Sequence, residues 1–337
     1  MNNKLSRRRF LSGSAAVLAT ATLCPIDTFS QTATPVASIP GINEFGTKFG
    51  GVQIGAITYS WRNMPPGLEN IVKYCKETGI NSLELMSNDL EIFLGAPVNP
   101  RTTFSQSSSG GPTPEEQAAI MEKYNANIKS FRLGVTPEKV ASARKLFDDA
   151  GIIIHTVKFS PSRYSSDEEI DYAFTTAKAM GAKAVCDELG ENAVKRLAPF
   201  AEKHGIYAIF HNHAQFEDEN FTVDPFLNLS PAVMLNFDAG HYYGVTGLNP
   251  CDLIRKYHNR IYSIHLKDRT GPKTEPEPDT NQVWGQGEVP LAEILLLIKN
   301  EGWPIYMDIE MVHDVKPWLD QVKEVKTCVQ YARNILL

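Results

Sequence analysis

Short β-branched runs alternate along the chain with longer stretches in which apolar side chains recur at i, i+3 and i+4. The short runs, at 52–58, 82–86, 152–157, 182–187, 207–211, 233–238, 261–267 and 305–310, read as strands. Helical spacing covers 68–78, 137–150, 167–180, 193–204, 250–257, 291–301 and 315–337, with further helical patterns near 114–129 and 224–229. Gly79, Gly151, Gly181 and Gly205 stand where helical segments give way to the next strand, as C-terminal caps do. Eight β runs with helical connections predict an α/β fold, a single (β/α)8 TIM barrel over residues 51–337. An open doubly wound sheet is the runner-up, but no GxGxxG follows the first strand to support it.

Two connections are too long for simple turns. Residues 87–136 contain a Ser/Gly-rich run, 105–112, that reads as a mobile insertion, and residues 268–290 are rich in Pro, Glu and Thr. Both follow strands and so project from the C-terminal face, where barrel enzymes place their lids.

Ionisable residues gather where the strands end. Glu84 is in the second strand pattern and His155 in the third; Glu188 follows the fourth. His211 and His213 end the fifth, Asp238 and His241 the sixth, His265, Lys267 and Asp268 the seventh, and Asp308 and Glu310 the eighth. Four successive strand ends thus offer His, Asp, His and Glu to one region, a mixed nitrogen–oxygen set that suits Mn²⁺, Zn²⁺, Co²⁺ or Fe²⁺. Alternation places His211 with His213, His265 with Lys267, and Asp308 with Glu310 on shared sides of their strands. Asp187 and Glu188 have a second reading, as caps of the helix that starts near Ala193.

Several short stretches resemble the xylose-isomerase-like TIM barrels, the group that includes sugar phosphate isomerases and epimerases. Asn236-Phe237-Asp238-Ala239-Gly240-His241 resembles that family's D-x-G-H stretch, and Ile264-His265-Leu266-Lys267-Asp268 its H-x-K-D stretch. The segment Trp284-Gly285-Gln286-Gly287-Glu288-Val289-Pro290 resembles its G-x-G segment, Ile309-Glu310 its closing glutamate, and His211-Asn212-His213 an H-N-H variant of one branch. The resemblance implies one divalent metal ion held by His211, Asp238, His265 and Glu310. It also implies a departure, because the best-understood epimerases carry a glutamate at the end of strand five. A two-base epimerisation would then need Glu188, Glu84 or a histidine as the second base.

An ion chelated by a carbonyl and its neighbouring hydroxyl acidifies the adjacent C–H and stabilises an enediolate. Glu310, or a histidine beside it, is expected to remove that proton, giving an isomerase or epimerase; departure of a β-substituent would make the enzyme a lyase or hydratase, with His241 or Lys267 assisting. His213, Lys267, Glu84 and Trp284 are candidate substrate contacts, with a salt bridge as the alternative role for Lys267. Trp61 is a further stacking candidate. Outside the enzyme class, the same residues could form a barrel that binds a sugar without turning it over.

The N-terminus modifies the substrate expectation. Ser6-Arg7-Arg8-Arg9-Phe10-Leu11 ahead of a weakly apolar run resembles a twin-arginine export signal over residues 1–33, with 34–50 as a linker. The twin-arginine export machinery is then a partner and the destination is periplasmic or otherwise exported. That machinery carries folded proteins, often with a cofactor installed. An exported enzyme meets free or oxidised sugars more than sugar phosphates. The 337-residue chain has 33 Lys+Arg against 39 Asp+Glu, a charge of −6. Cleavage after Ala33 removes Lys4, Arg7, Arg8, Arg9 and Asp27 and takes that to −9. This balance argues against nucleic acid as a partner, and with it against the abasic-site endonucleases of the same superfamily. The remaining chain carries no apolar stretch of about twenty residues, so no membrane span is expected. Homo-oligomers stay open. Cys75, Cys186, Cys251 and Cys328 lack CxxC spacing; Cys75 and Cys328 fall on the first and last helices, as buried thiols or as a disulfide.

Overall fold

The computed structural model describes residues 46–100, 111–159 and 166–337. The twin-arginine stretch, its cleavage candidates and most of the Ser/Gly-rich run lie outside the described residues.

Eight parallel strands close on themselves: β1 Val52–Ile57, β2 Ser82–Met86, β3 Ile153–Lys158, β4 Ala184–Glu188, β5 Tyr207–His211, β6 Val233–Asp238, β7 Ile261–Leu266 and β8 Tyr306–Ile309. Each pairs with the next, and β8 returns to β1 through Met307↔Ile54 and Ile309↔Ala56. The helices are α1 Leu68–Thr78, α2 Ser87–Phe93, α3 Pro114–Leu133, α4 Pro137–Asp149, α5 Asp167–Ala179, α6 Glu191–His204, α7 Asp224–Leu227, α8 Ala239–Thr246, α9 Pro250–Tyr257, α10 Leu291–Glu301 and α11 Gln321–Leu336. This is the expected (β/α)8 barrel. The expected strand and helix bounds hold to within a few residues.

The departures have local causes. Helix α2 follows β2 directly and α8 follows β6 directly, so neither leaves a turn that the periodicity could register. Asp187 and Glu188 do not cap α6: Gly190 stands at its N-cap, while Asp187 Oδ1 accepts from the Glu188 N–H at 2.7 Å. The last helix begins at Gln321, where Asp320 caps it by accepting from the Lys323 N–H. Cys75 and Cys328 are buried free thiols on the neighbouring helices α1 and α11.

Two hydrophobic layers result. Ile54, Leu83, Val157, Val185, Phe210, Phe237, Ile264 and Ile309 face the helices, and Ala184, Cys186, Ile209, Met234 and Tyr262 plug the barrel from inside. Burial of the outer layer is the main drive for closure. In two places a strand carries an extra residue against its neighbour. His155 is extra between Ile154 and Thr156 opposite Leu83 and Glu84, and Tyr262 is extra between Ile261 and Ser263 opposite Leu235 and Asn236. Each bulge resets the alternation so that a polar run continues inward.

Candidate metal centre

The C-terminal ends of β5 to β8 bring the four expected ligands together. His211 Nε2 lies 3.1 Å from Asp238 Oδ2 and 4.0 Å from Glu310 Oε2. His265 Nδ1 lies 3.3 Å from Glu310 Oε2 and 3.9 Å from Asp238 Oδ2. Ligand atoms about 2.1 Å from one ion stand about 3 to 4 Å apart, so this set fits a single first-row divalent ion. His211, Asp238 and His265 are at most 1% exposed and Glu310 8%. A cation already fits between the carboxylates: the Lys267 ammonium is 2.8 Å from Asp238 Oδ2 and 2.5 Å from Glu310 Oε2.

Local structure aims each of these side chains. Asp238 spends Oδ1 on the His241 N–H at the start of α8, which leaves Oδ2 for the site. Asn212, between the two histidines of H-N-H, accepts from the Asp238 N–H at 2.8 Å and donates to the Asp238 carbonyl at 3.1 Å. Ser60 braces Glu310 from both sides, donating to the Ile309 carbonyl and accepting from the Met311 N–H, each at 3.0 Å. Gly240 leaves room for Lys267, since a Cβ there would overlap the lysine's Cγ and stand 2.8 Å from its carbonyl oxygen. The H-x-K-D and G-x-G stretches form one device: Asp268 accepts from the N–H groups of Gly285 at 2.8 Å, Gly287 at 3.0 Å and Val289 at 3.2 Å.

The expected substrate contacts divide. Lys267 is at the centre as an ion-pair partner of the Asp238 and Glu310 carboxylates. His213, half exposed, and His241 stand beside His211, with ring centroids 4.6 Å from His211 to His213 and 4.7 Å from His213 to His241. Glu84 is fully buried, 3.0 Å from His265 Nε2 on the side away from the open end, so it has no surface for a substrate. Trp284 is 6% exposed and packs edge-on against Tyr331 of α11, and Trp61 packs on Tyr74 of α1. Asp308 lies one layer deeper than Glu310, its Oδ2 2.9 Å from His155 Nε2.

Lys158 escaped the sequence pattern because it ends a strand without a recognisable neighbour. Its ammonium is 2.9 Å from Glu188 Oε1, while Glu188 Oε2 lies 2.9 Å from His213 Nε2 and 3.3 Å from His211 Nδ1. Burial alone would raise the Glu188 carboxyl, but the two histidines and Lys158 hold it well below the usual range. Glu188 is therefore a fixed anion, its two oxygens engaged by Lys158, His211 and His213. Burial drives the His241 imidazole down to about 3 despite the nearby Asp238, so at neutral pH it is uncharged and cannot serve as a cationic acid. Burial would lower His265 too, but Glu84 and Glu310 raise it to about 10 in the metal-free protein.

Among solved structures, the fold is similar to that of the probable 3-DHS dehydratase AsbF from Bacillus anthracis, 14% identical, with a TM-score of 0.54 over 82% of this chain and 97% of that one. It is equally similar to D-psicose 3-epimerase from Clostridium cellulolyticum H10 with D-tagatose, 12% identical, TM-score 0.53, covering 84% and 99%. An inosose dehydratase from Clostridium beijerinckii is 34% identical over 83 residues, which span 23% of this chain and 26% of that protein. The pattern of the xylose isomerase-like TIM barrels matches residues 117–330, and the chain belongs to that family.

Proposed function

We propose that the protein is a divalent-metal-dependent isomerase or epimerase that acts through an enediolate on a non-phosphorylated carbohydrate. The observation that carries this is the convergence of His211 Nε2, Asp238 Oδ2, His265 Nδ1 and Glu310 Oε2 at the open end of the barrel. A divalent ion held there supplies Lewis-acid polarisation of a carbonyl and acidifies the neighbouring C–H. Glu310, with a tenth of its side chain exposed, is the carboxylate that meets a substrate carbon and takes its proton. Lys267 keeps Glu310 and Asp238 ionised, and neutral His241 and half-exposed His213 orient hydroxyl groups by hydrogen bonding. Both lysines at the centre, Lys158 and Lys267, are committed to carboxylates, which favours an uncharged sugar over a phosphate ester. The twin-arginine stretch supports the same choice through an exported destination.

A second reading, a dehydratase or β-eliminating lyase on keto-sugars or their glycosides, draws on a specific feature. The resemblance expects a glutamate at strand five, but His211 stands there, so among the four converging side chains Glu310 is the one glutamate where two-faced proton exchange uses a pair. The two dehydratase relatives point the same way. The test begins with elemental analysis of wild type, His265→Ala and Glu310→Ala after incubation with manganese or zinc. About one ion per wild-type chain, lost in both variants, is the expected result; a metal-free wild type would overturn both readings. Incubation with keto-sugars in heavy water then separates them. Deuterium in the recovered sugar marks the isomerase, and an α,β-unsaturated ketone marks the lyase.

A further inference from the structure

Beneath the ligand set lies a carboxylate that the proposed reaction leaves without a role. Glu84, from β2, crosses the barrel interior to β7 and is fully buried. A buried carboxylate is expensive unless it is paired, and removal of its partner would leave it stranded. Its Oε2 lies 3.0 Å from His265 Nε2 and accepts a 2.8 Å hydrogen bond from Asn236 Nδ2. Asn236 is fixed in turn, because its Oδ1 accepts from Ser263 Oγ at 2.9 Å and its amide nitrogen faces Cys186 Sγ at 3.4 Å. Both amide hydrogens of Asn236 thus have acceptors, Glu84 and Cys186. The amide nitrogen is also 3.1 Å from His265 Nε2 but has no hydrogen left to give it. A carboxylate can only accept, so the hydrogen between Glu84 and His265 sits on Nε2. Nδ1, facing Asp238 and Glu310, is then the nitrogen that gives up its proton and presents its lone pair when an ion binds.

We propose that Glu84 is a positioning residue of the metal centre: it fixes the orientation and tautomer of His265 so that Nδ1 is presented to the ion. This rests on the metal reading above and assigns Glu84 a place behind the ligand rather than against the substrate. Carboxylates that orient a ligating imidazole in this way strengthen metal binding about 10- to 100-fold.

The test measures the zinc dissociation constant of the full chain by competition with a chromophoric chelator. Glu84→Gln keeps the shape and is expected to bind about 10- to 100-fold more weakly, with an unchanged circular dichroism spectrum. Glu84→Asp, which keeps the charge but withdraws it by one methylene, should fall between. A role in stability alone would lower the melting temperature of the metal-free protein and leave zinc binding within twofold of wild type, which would overturn the proposal. Should Glu84→Gln not fold, ¹⁵N-histidine NMR of zinc-loaded wild type decides. Hydrogen on Nε2 of His265 supports the assignment, and hydrogen on Nδ1 refutes it. Wild type that binds no zinc sinks the metal reading and this inference together, whereas tight binding that Glu84→Gln leaves intact sinks only the inference.

Discussion

Gly55 in β1 faces the barrel interior beside Asp308, and a Cβ there would overlap Asp308 Oδ1 and sit 2.9 Å from the Ser82 carbonyl oxygen. The layer has no slack: Asp308 is held by His155, whose ring stacks on Tyr306 at 4.2 Å. Gly55→Ala should therefore destabilise the protein by about 1–3 kcal/mol as the cost of overpacking. Urea unfolding would show this as a lower midpoint at unchanged slope, and a midpoint equal to wild type would mean that the layer yields more easily than its contacts imply.

Helix α3 depends on a few contacts. Ile128 is its one buried side chain, and its start is fixed by a capping box in which Thr113 and Glu116 exchange hydrogen bonds. At its other end Arg132 donates to both oxygens of Glu91 in α2, at 2.8 and 3.1 Å, and to Glu169 of α5 at 3.0 Å. Its guanidinium is 20% exposed and the two carboxylates under 10%. Arg132→Ala would leave both carboxylates buried without their cation, a loss of about 2–4 kcal/mol after allowance for the partial exposure. Hydrogen exchange should then rise across α3 while the barrel strands keep their protection. Uniform protection throughout would show that α3 is held by its packing instead.

The charge network at the open end couples stability to pH in the metal-free protein. His265 is raised from 6.5 to about 10, so its contribution is complete below about pH 6.5 and is lost as pH climbs through 10. Asp238 and Glu310 behave oppositely. Burial alone would raise both, but Lys267 and the histidines hold them far below the ordinary range, so their contributions exist above about pH 4 and fail only in strong acid. Between pH 7 and 9.5 the His265 effect dominates, at no more than about 1.4 kcal/mol per pH unit. In a chelator the unfolding midpoint should fall over that interval. The metal-loaded protein, which has already given up that proton, should not show the fall. A flat profile in chelator would mean that His265 is neutral between its two carboxylates.

The barrel was readable in the chain because hydrophobic periodicity is a local property: β-branched runs and i, i+3, i+4 stripes mark strands and helices wherever they occur. So were His211, Asp238, His265 and Glu310, since four consecutive strand ends must meet at one end of any closed parallel barrel. Other features depend on contacts between residues far apart. Glu84 looked like a substrate contact from its strand position, but 181 residues separate it from the His265 nitrogen that claims it. Lys158 carried no motif, and only the approach of β3 to β4 gives it Glu188. The bulges at His155 and Tyr262 exist only against a neighbouring strand, and they decide which residues turn inward. Trp284 turns to α11 because the loop that carries it is tied down by Asp268. Sequence pattern selects elements and the end at which they meet; burial and pairing across the barrel decide which charges touch, and therefore which of them can do chemistry.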